Sequence, residues 1–299
     1  MSQFVGELAA LFAALSWTFA STLFTSAGRR IGALNLNAFR IVIGASLLSI
    51  AHFFLYGSFF PLVNISQFFY LSLSGIIGLA IGDFAYFGSL ITIGPRKAIL
   101  VSSMAPIFSL IGGYLALQEI PSLISGIGVF LVLLGVWIVI IEREEKEYVH
   151  GNKLKGVALG IIAAAGQGIG VVISKYGMLK AGSVVAPLSA ALIRVVVASL
   201  VIWLMLFAWR GPRQLFSSLK DRTALKISLL GSFIGPFVGL WLSMIAINYA
   251  QVGIASTLMS LTPIMIIPVV HFVYGEHVNL RGIAGAIIAV IGVALIFLF

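Results

Sequence analysis

The chain has 299 residues, of which 61% are hydrophobic and only 9% charged, and its mean hydropathy is +1.15. Soluble domains carry about a quarter charged residues, so a water-soluble globule is excluded and lipid is the expected solvent. The absence of cysteine excludes disulfides, thiol catalysis and iron–sulfur or zinc–thiolate centres, while the formal charge of +9 raises nucleic acid as a partner.

A membrane-spanning helix needs roughly 20 apolar residues. Apolar runs of that order occur at 4–27, 34–56, 66–93, 97–118, 122–141, 155–178, 184–209, 224–249, 252–274 and 280–299. Charges and turn formers separate them, among them Gly28-Arg29-Arg30, Gly94-Pro95-Arg96-Lys97, Glu119-Ile120-Pro121 and Arg210-Gly211-Pro212-Arg213. The first run has no basic residue before it and exceeds the apolar core of a signal peptide, so it reads as a retained helix. Asn64-Ile65-Ser66 has the form of a glycosylation sequon, but its connection is too short and too close to the membrane for that use.

The basic residues are unevenly shared between the two faces. Fourteen of the 18 fall in connections 1–2, 3–4, 5–6, 7–8 and 9–10, from Arg29 and Arg30 to Arg281; the face holding both termini has Lys175 and Lys180, and Arg40 and Arg194 lie within spans. The positive-inside rule then predicts both termini outside the cytoplasm, in a multi-pass protein of the inner or plasma membrane. Charge scattered over five short loops without a recognition motif also removes nucleic acid as a partner.

The segment Glu142 to Lys155 is the one charge-dense stretch and marks a repeat boundary: repeat 1 is expected over about 1–141, a connecting loop over 142–154 and repeat 2 over 155–299, all in a single membrane domain. At an offset of 157, Gly78 meets Gly235, Gly82 meets Gly239, Ser103 meets Ser260, Pro106-Ile107 meets Pro263-Ile264, Glu119 meets Glu276, Gly128 meets Gly285 and Gly135-Val136 meets Gly292-Val293. Upstream the offset drifts, so that Gly6 answers to Gly156 and Arg40 to Arg194. Each half holds five spans, and an odd number forces the second copy to enter the membrane from the opposite side. The predicted fold is an all-α membrane protein of ten transmembrane helices built from two inverted five-helix repeats, an architecture that recurs where a central site is opened to each face in turn.

The pattern Gly82-Asp83-Phe84, Ile93-Gly94-Pro95-Arg96-Lys97-Ala98, Ser103-Met104-Ala105-Pro106 and Leu117-Gln118-Glu119, repeated more loosely from Gly253 to Pro263 and at Gly275-Glu276-His277, resembles EamA-type members of the drug/metabolite transporter superfamily. The resemblance covers nearly the whole chain and implies transport of a small molecule, with helices 1, 3, 4, 6, 8 and 9 lining a cavity and helices 5 and 10 peripheral. Such families include amino-acid and metabolite exporters, uptake carriers and nucleotide-sugar relatives. Leu240 stands at the Asp83 position of the second half and Gln167 at the Trp17 position, so a symmetric site is not expected.

Several residues are candidates for substrate binding or coupling. Asp83 is the one carboxylate deep in a predicted span, with Tyr86 one turn on, and intramembrane acids face a cavity or a partner. It reads as a proton or ammonium site, as a helix–helix bond or as a cap to the following turn. Trp17 and Ser21, Gln167 and Ser174, and Trp241, Met244 and Asn248 fall on single faces of helices 1, 6 and 8 by helical spacing. Arg40 and Arg194 either attract a substrate carboxylate or serve structure by snorkelling or pairing with neighbouring helices. Glu119 and Glu276 end helices 4 and 9 as anchors or gate elements, and Pro106, Pro263 and Pro268 predict bends. The run Gly166-Gln167-Gly168-Ile169-Gly170 imitates a dinucleotide fingerprint without the preceding strand and is set aside.

An intramembrane enzyme is the competing class. It needs a nucleophile with a base, paired acids or metal ligands, and the four histidines, His52, His150, His271 and His277, form no such pattern. A secondary carrier is therefore expected, without cofactor or metal. It would work by alternating access and export amino acids or related metabolites, with protons a candidate partner and the oligomeric state left open by the sequence, a monomer being compatible with it. The alternatives are a carrier for sugars, nucleosides or nucleotide-sugars, or an enzyme acting on lipid or peptide.

Overall fold

Local capping chemistry decides where the helices begin and end. In a computed structural model, which describes residues 2–142, 152–210, 221–267 and 280–298, the helices are α1 Gln3–Ile31, α2 Leu34–Tyr56, α3 Ile65–Gly94, α4 Lys97–Leu117, α5 Leu123–Ile141, α6 Lys153–Leu179, α7 Pro187–Ala208, α8 Arg222–Tyr249, α9 Val252–Ile267 and α10 Leu280–Leu298. Among the described residues nine are long and apolar enough to cross a membrane, and α9 is shorter. Gly57, at φ 73°, closes α2 by donating its N–H to Phe53 O; a left-handed residue after the last turn costs glycine nothing. The sequon asparagine, Asn64, is the N-cap of α3. Its side chain accepts from Gln67 N at 2.8 Å while Gln67 Oε1 accepts from Asn64 N, a reciprocal capping box. Asn152 and Asp221 cap α6 and α8 by accepting backbone N–H groups of the first turn, without the reciprocal bond.

The chain is built from two inverted five-helix repeats, and the packing shows their pseudo-two-fold. Helix α5 crosses α10 at four glycines: a Cβ on Gly128 would lie 2.7 Å from Gly292 O, and one on Gly135 would lie 2.4 Å from Gly285 O. Because the repeat maps Gly128 onto Gly285 and Gly135 onto Gly292, these two contacts are one contact seen twice. The small residues let the backbones approach, which is how helices associate when lipid supplies no hydrophobic drive between them. A second matched crossing joins the halves. Gly78 and Gly82 of α3 pack on Gly166 and Gly170 of α6, and their counterparts Gly235 and Gly239 of α8 pack on Ala20, Ser16 and Trp17 of α1.

Irregularities of the backbone repeat as well. Helix α3 passes through a π-helical segment at Ile76–Ile81 and α8 through one at Phe233–Gly239, positions that the offset of 157 superposes. In α4 the regular hydrogen bonds give way at Ser103 and Met104, where Ile107 N donates to Met104 O at 2.9 Å; in α9 the break falls at Ser260 and Leu261, where Ile264 N donates to Leu261 O at 2.9 Å. Each break is two to three residues before a proline, Pro106 or Pro263, which has no N–H to continue the ladder. Large apolar side chains point outward around the bundle, Phe54, Leu123 and Leu204 among them, as a lipid-facing surface requires. The expected bends at Pro268 and the ends of helix 9, with Glu276, His271 and His277, lie outside the described residues, as do His150 and most of the connection between the repeats.

Candidate functional site

Buried charge has to be met by an opposite charge or a dipole, because lipid offers neither. Three places in the bundle meet that requirement differently. In the first half, Arg40 of α2 pairs through Nη2 with Oδ2 of Asp83 on α3, and its Nε donates to Asn37 Oδ1 at 2.8 Å. The guanidinium also lies over the rings of Phe24 on α1, at 5.5 Å, and Phe87 on α3, at 6.0 Å, favourable positions for a cation. Asp83 is thus neither an isolated acid nor a simple helix cap: its partner is Arg40, and the two side chains are 12% and 13% exposed. Tyr86 stacks edge-on with Phe87 beside the pair.

The second half presents the same scaffold with its acid missing. Arg194 of α7 is 2% exposed, so its charge does not reach the headgroups, contrary to the snorkelling expected for one of its readings. It extends from α7 toward the crossing of α3 and α6: a Cβ on Gly78 would lie 3.4 Å from Nη2, and one on Gly75 would lie 2.4 Å from the Arg194 carbonyl. Nη1 donates to Met244 Sδ at 3.2 Å, and Ser174 Oγ donates to the same sulfur at 3.2 Å. Nε has no partner among the described residues. The repeat superposes Phe24 on Ser174, Asp83 on Leu240 and Phe87 on Met244, so the residues around Arg194 are counterparts of those around Arg40.

The third place closes the face that carries the N-terminus. Lys175, which looked like a face-marking charge near the end of an apolar run, is 6% exposed inside α6. Its Nζ lies 2.5 Å from Glu119 Oε1 and donates to Ala250 O at 2.6 Å. The other carboxylate oxygen of Glu119 accepts from Val252 N, the first residue of α9, at 2.6 Å. One buried ion pair therefore ties the end of α4 to α6 and to the junction of α8 with α9. On the same face Asn64 Nδ2 donates to Ala181 O, Gln67 donates to Ser183, and His52 bridges Ser58 O at 2.6 Å and Ser189 Oγ at 3.1 Å. Gly6 of α1 is pressed onto Ala246 and Ala250. On the opposite face an exposed pair joins Arg30 Nε to Asp221 Oδ2 at 2.8 Å.

The remaining sequence candidates fall around these groups. Trp17 sits against Gly235 and Gly239, and Trp241 stacks obliquely on Phe237 at 6.1 Å. Gln167 lies on α6 where that helix meets Gly82. Ser21 spends its hydroxyl on its own helix, donating to Thr18 O at 2.8 Å, and Asn248 Oδ1 is a buried acceptor without a partner among the described residues. Below the ion-paired face, Ser109 of α4 donates to Ser256 of α9 at 3.0 Å and to Gly168 O of α6 at 3.2 Å. Two clefts border the bundle elsewhere. The larger, about 310 Å³, is wholly apolar and lined by Ile267 and one face of α10 from Gly282 to Ile291; the smaller lies among α2, α3 and α7. Neither contains a candidate residue.

A family model matches the chain twice, over residues 4–141 and 154–298, and it is the model of the EamA-like transporter family. The chain belongs to the EamA-like transporter family. EamA proteins are part of the drug/metabolite transporter superfamily, so this is a multi-pass membrane transporter. Twenty-nine chains of solved structures match it. One, described only as "Crystal structure of protein", superposes with a TM-score of 0.75 at 18% identity, covering 97% of this chain and 95% of that one, a likeness of fold. No curated protein matches the chain in sequence.

Proposed function

We propose that this EamA transporter is a secondary carrier that alternates access between its two inverted halves and exports amino acids or related small metabolites, from an inner or plasma membrane with both termini outside. The observation that carries the reading is the duplication of flexible backbone. The π-helical segments of α3 and α8, and the breaks before Pro106 and Pro263, occupy equivalent positions in both halves, so each half holds the same joints in inverted orientation. Two such halves exchange conformations and expose one central site to each face in turn. With both termini outside, the Glu119–Lys175 pair closes the external face and the chain is in its inward-facing or occluded form.

The site belongs between the halves, where α1, α3, α6 and α8 meet. Arg194, Ser174, Met244, Gln167 and Trp17 supply a cation, hydroxyl, thioether, amide and indole there, a mixture suited to zwitterions with apolar side chains. Asp83 is the coupling group in this reading: protonation releases Arg40, and deprotonation restores the pair. Transport of labelled L-amino acids into proteoliposomes, with and without an imposed pH gradient, tests it. Saturable uptake accelerated by the gradient, with the acceleration abolished in Asp83→Asn, is expected. Uptake that ignores the gradient removes the coupling role, and no uptake of any amino acid under either condition removes the substrate class.

A further inference from the structure

The two intramembrane arginines form an internal control. Arg40 and Arg194 occupy equivalent positions of the repeat, and Met244, which Arg194 touches, is the counterpart of Phe87 beside Arg40, yet among the described residues only Arg40 has an acid. A buried guanidinium with an internal counter-ion is electrostatically complete. Among the described residues Arg194 has a thioether, a weak acceptor, and an Nε without a partner. Leu240, where the repeat would place the carboxylate, supplies nothing. In the low-dielectric interior such a charge is costly, and it is held where α3, α6, α7 and α8 converge, with Met244, an unbranched and adaptable side chain, against its one bonded nitrogen.

We infer that Arg194 is the anion-binding residue of the transport site and takes the carboxylate of the substrate, which completes the charge pair that Asp83 completes in the other half. This rests on the transport reading above and adds the substrate's charge to it. A carboxylate suits the guanidinium because its two oxygens match two N–H groups of the planar fork. On arrival it displaces Met244 Sδ from Nη1 and satisfies Nε. Ser174 Oγ, freed from the same sulfur, becomes a third donor. The substrate thereby removes an energetic cost that the empty carrier bears, so that binding and reorganisation of α8 against α6 and α7 are one event.

The test is thermal stabilisation of the purified full-length protein by L-amino acids, by their carboxamides and decarboxylated amines, by lactate and succinate, and by inorganic phosphate. At least one carboxylate is expected to raise the Tm of the wild type while its amide does not. Arg194→Gln is expected to weaken that carboxylate at least about 30-fold, the scale for removing one partner of a buried charge pair, and Arg194→Lys less. Leu240→Asp keeps the arginine and gives it an internal counter-ion, so it should raise the Tm of the ligand-free protein and abolish the carboxylate response. A purely structural Arg194 predicts the first of those effects without the second. Equal response to acid and amide, response to phosphate alone, no carboxylate response in the wild type, or an unchanged response in Leu240→Asp each overturns the inference. Binding of lactate or succinate but of no amino acid leaves Arg194 in place and removes the amino-acid reading. Amino-acid binding indifferent to the carboxylate does the reverse.

Discussion

Substituting Lys175 by methionine tests the closed face directly, because it removes one charge from a buried pair and leaves the helices in place. In the closed form Glu119 would keep its bond from Val252 N but face no cation, with its side chain 17% exposed, and Ala250 O would lose its donor. If this face opens as proposed, water reaches both groups and the penalty vanishes. Breaking a buried pair by removing one partner costs about 3 kcal/mol or more, and each 1.4 kcal/mol is about tenfold in an equilibrium, so the open population should rise about 100-fold. The protein lacks cysteine, so Ser256→Cys, one turn into α9 and 8% exposed, becomes the single reactive thiol. Its rate of reaction with a membrane-impermeant maleimide reads opening. Lys175→Met should accelerate labelling strongly, and the double change Lys175→Met with Glu119→Gln should return most of the way, since the glutamine still accepts from Val252 and no charge is stranded. An unchanged rate in Lys175→Met, or equal acceleration in single and double variants, would refute the pair as the closure.

Three further outcomes follow from the geometry. Asp83→Asn strands Arg40 and should destabilise the protein by about 3 kcal/mol; Asp83→Leu combined with Arg40→Met should cost much less, which a double-mutant cycle on unfolding in mixed micelles measures. Gly135→Ala places a methyl 2.4 Å from Gly285 O and should cost about 1–3 kcal/mol, whereas Gly126→Ala, in the same helix with nothing within 4 Å, should gain up to about 1 kcal/mol; comparable losses at both sites would contradict the account of the α5–α10 crossing. Asp221, with the N–H of Ala224 and then Arg30 donating to its carboxylate, is held below its ordinary value of 3.8. A lowered folded value stabilises above the unfolded value and the effect is lost as pH falls through the folded one. Wild type should therefore melt above Asp221→Ala at neutral pH and converge with it in acid, and a gap that persists below the depressed value would contradict the charge-based origin.

The fold was legible because it is written in features that survive in one dimension. Helix number follows from run length, and inversion follows from an odd number of spans per repeat together with glycines and prolines at a common offset. The four-glycine crossing of α5 with α10 uses residues that the offset of 157 had already paired. The charge pairs were less legible, since they depend on which helices are neighbours. Arg40 and Asp83 are 43 positions apart, and nothing in their local patterns names the other as partner. Lys175 sits near the end of an apolar run, where a lysine ordinarily reaches the interface; only the approach of α4 and of the α8–α9 junction turns it inward. The signal for Arg194 was present in the sequence, in the conjunction of a repeated arginine with an acid that is not repeated. It gains meaning from the burial of Arg194 beside the pairing of Arg40 with Asp83.

That conjunction bears on how a duplicated protein acquires a function which neither copy has. If inverted halves trade conformations, the joints have to match, and the π-helical segments of α3 and α8 and the breaks before Pro106 and Pro263 do. The chemistry at the centre must not match, because a site closed by its own counter-ion on both sides has nothing left for a ligand. Here the Asp83 half is self-satisfied and the Leu240 half is not. One arginine is neutralised by the fold, and in the proposed mechanism protonation releases it while its twin is neutralised by the cargo. Symmetric joints with an asymmetric pair of charges would let proton and substrate act on the same motion from opposite halves, each by completing or breaking one equivalent bond. Exchanging the acid between halves, Asp83→Leu with Leu240→Asp, would on this logic transfer the unsatisfied arginine from α7 to α2, and with it the side of the pseudo-two-fold on which a carboxylate binds.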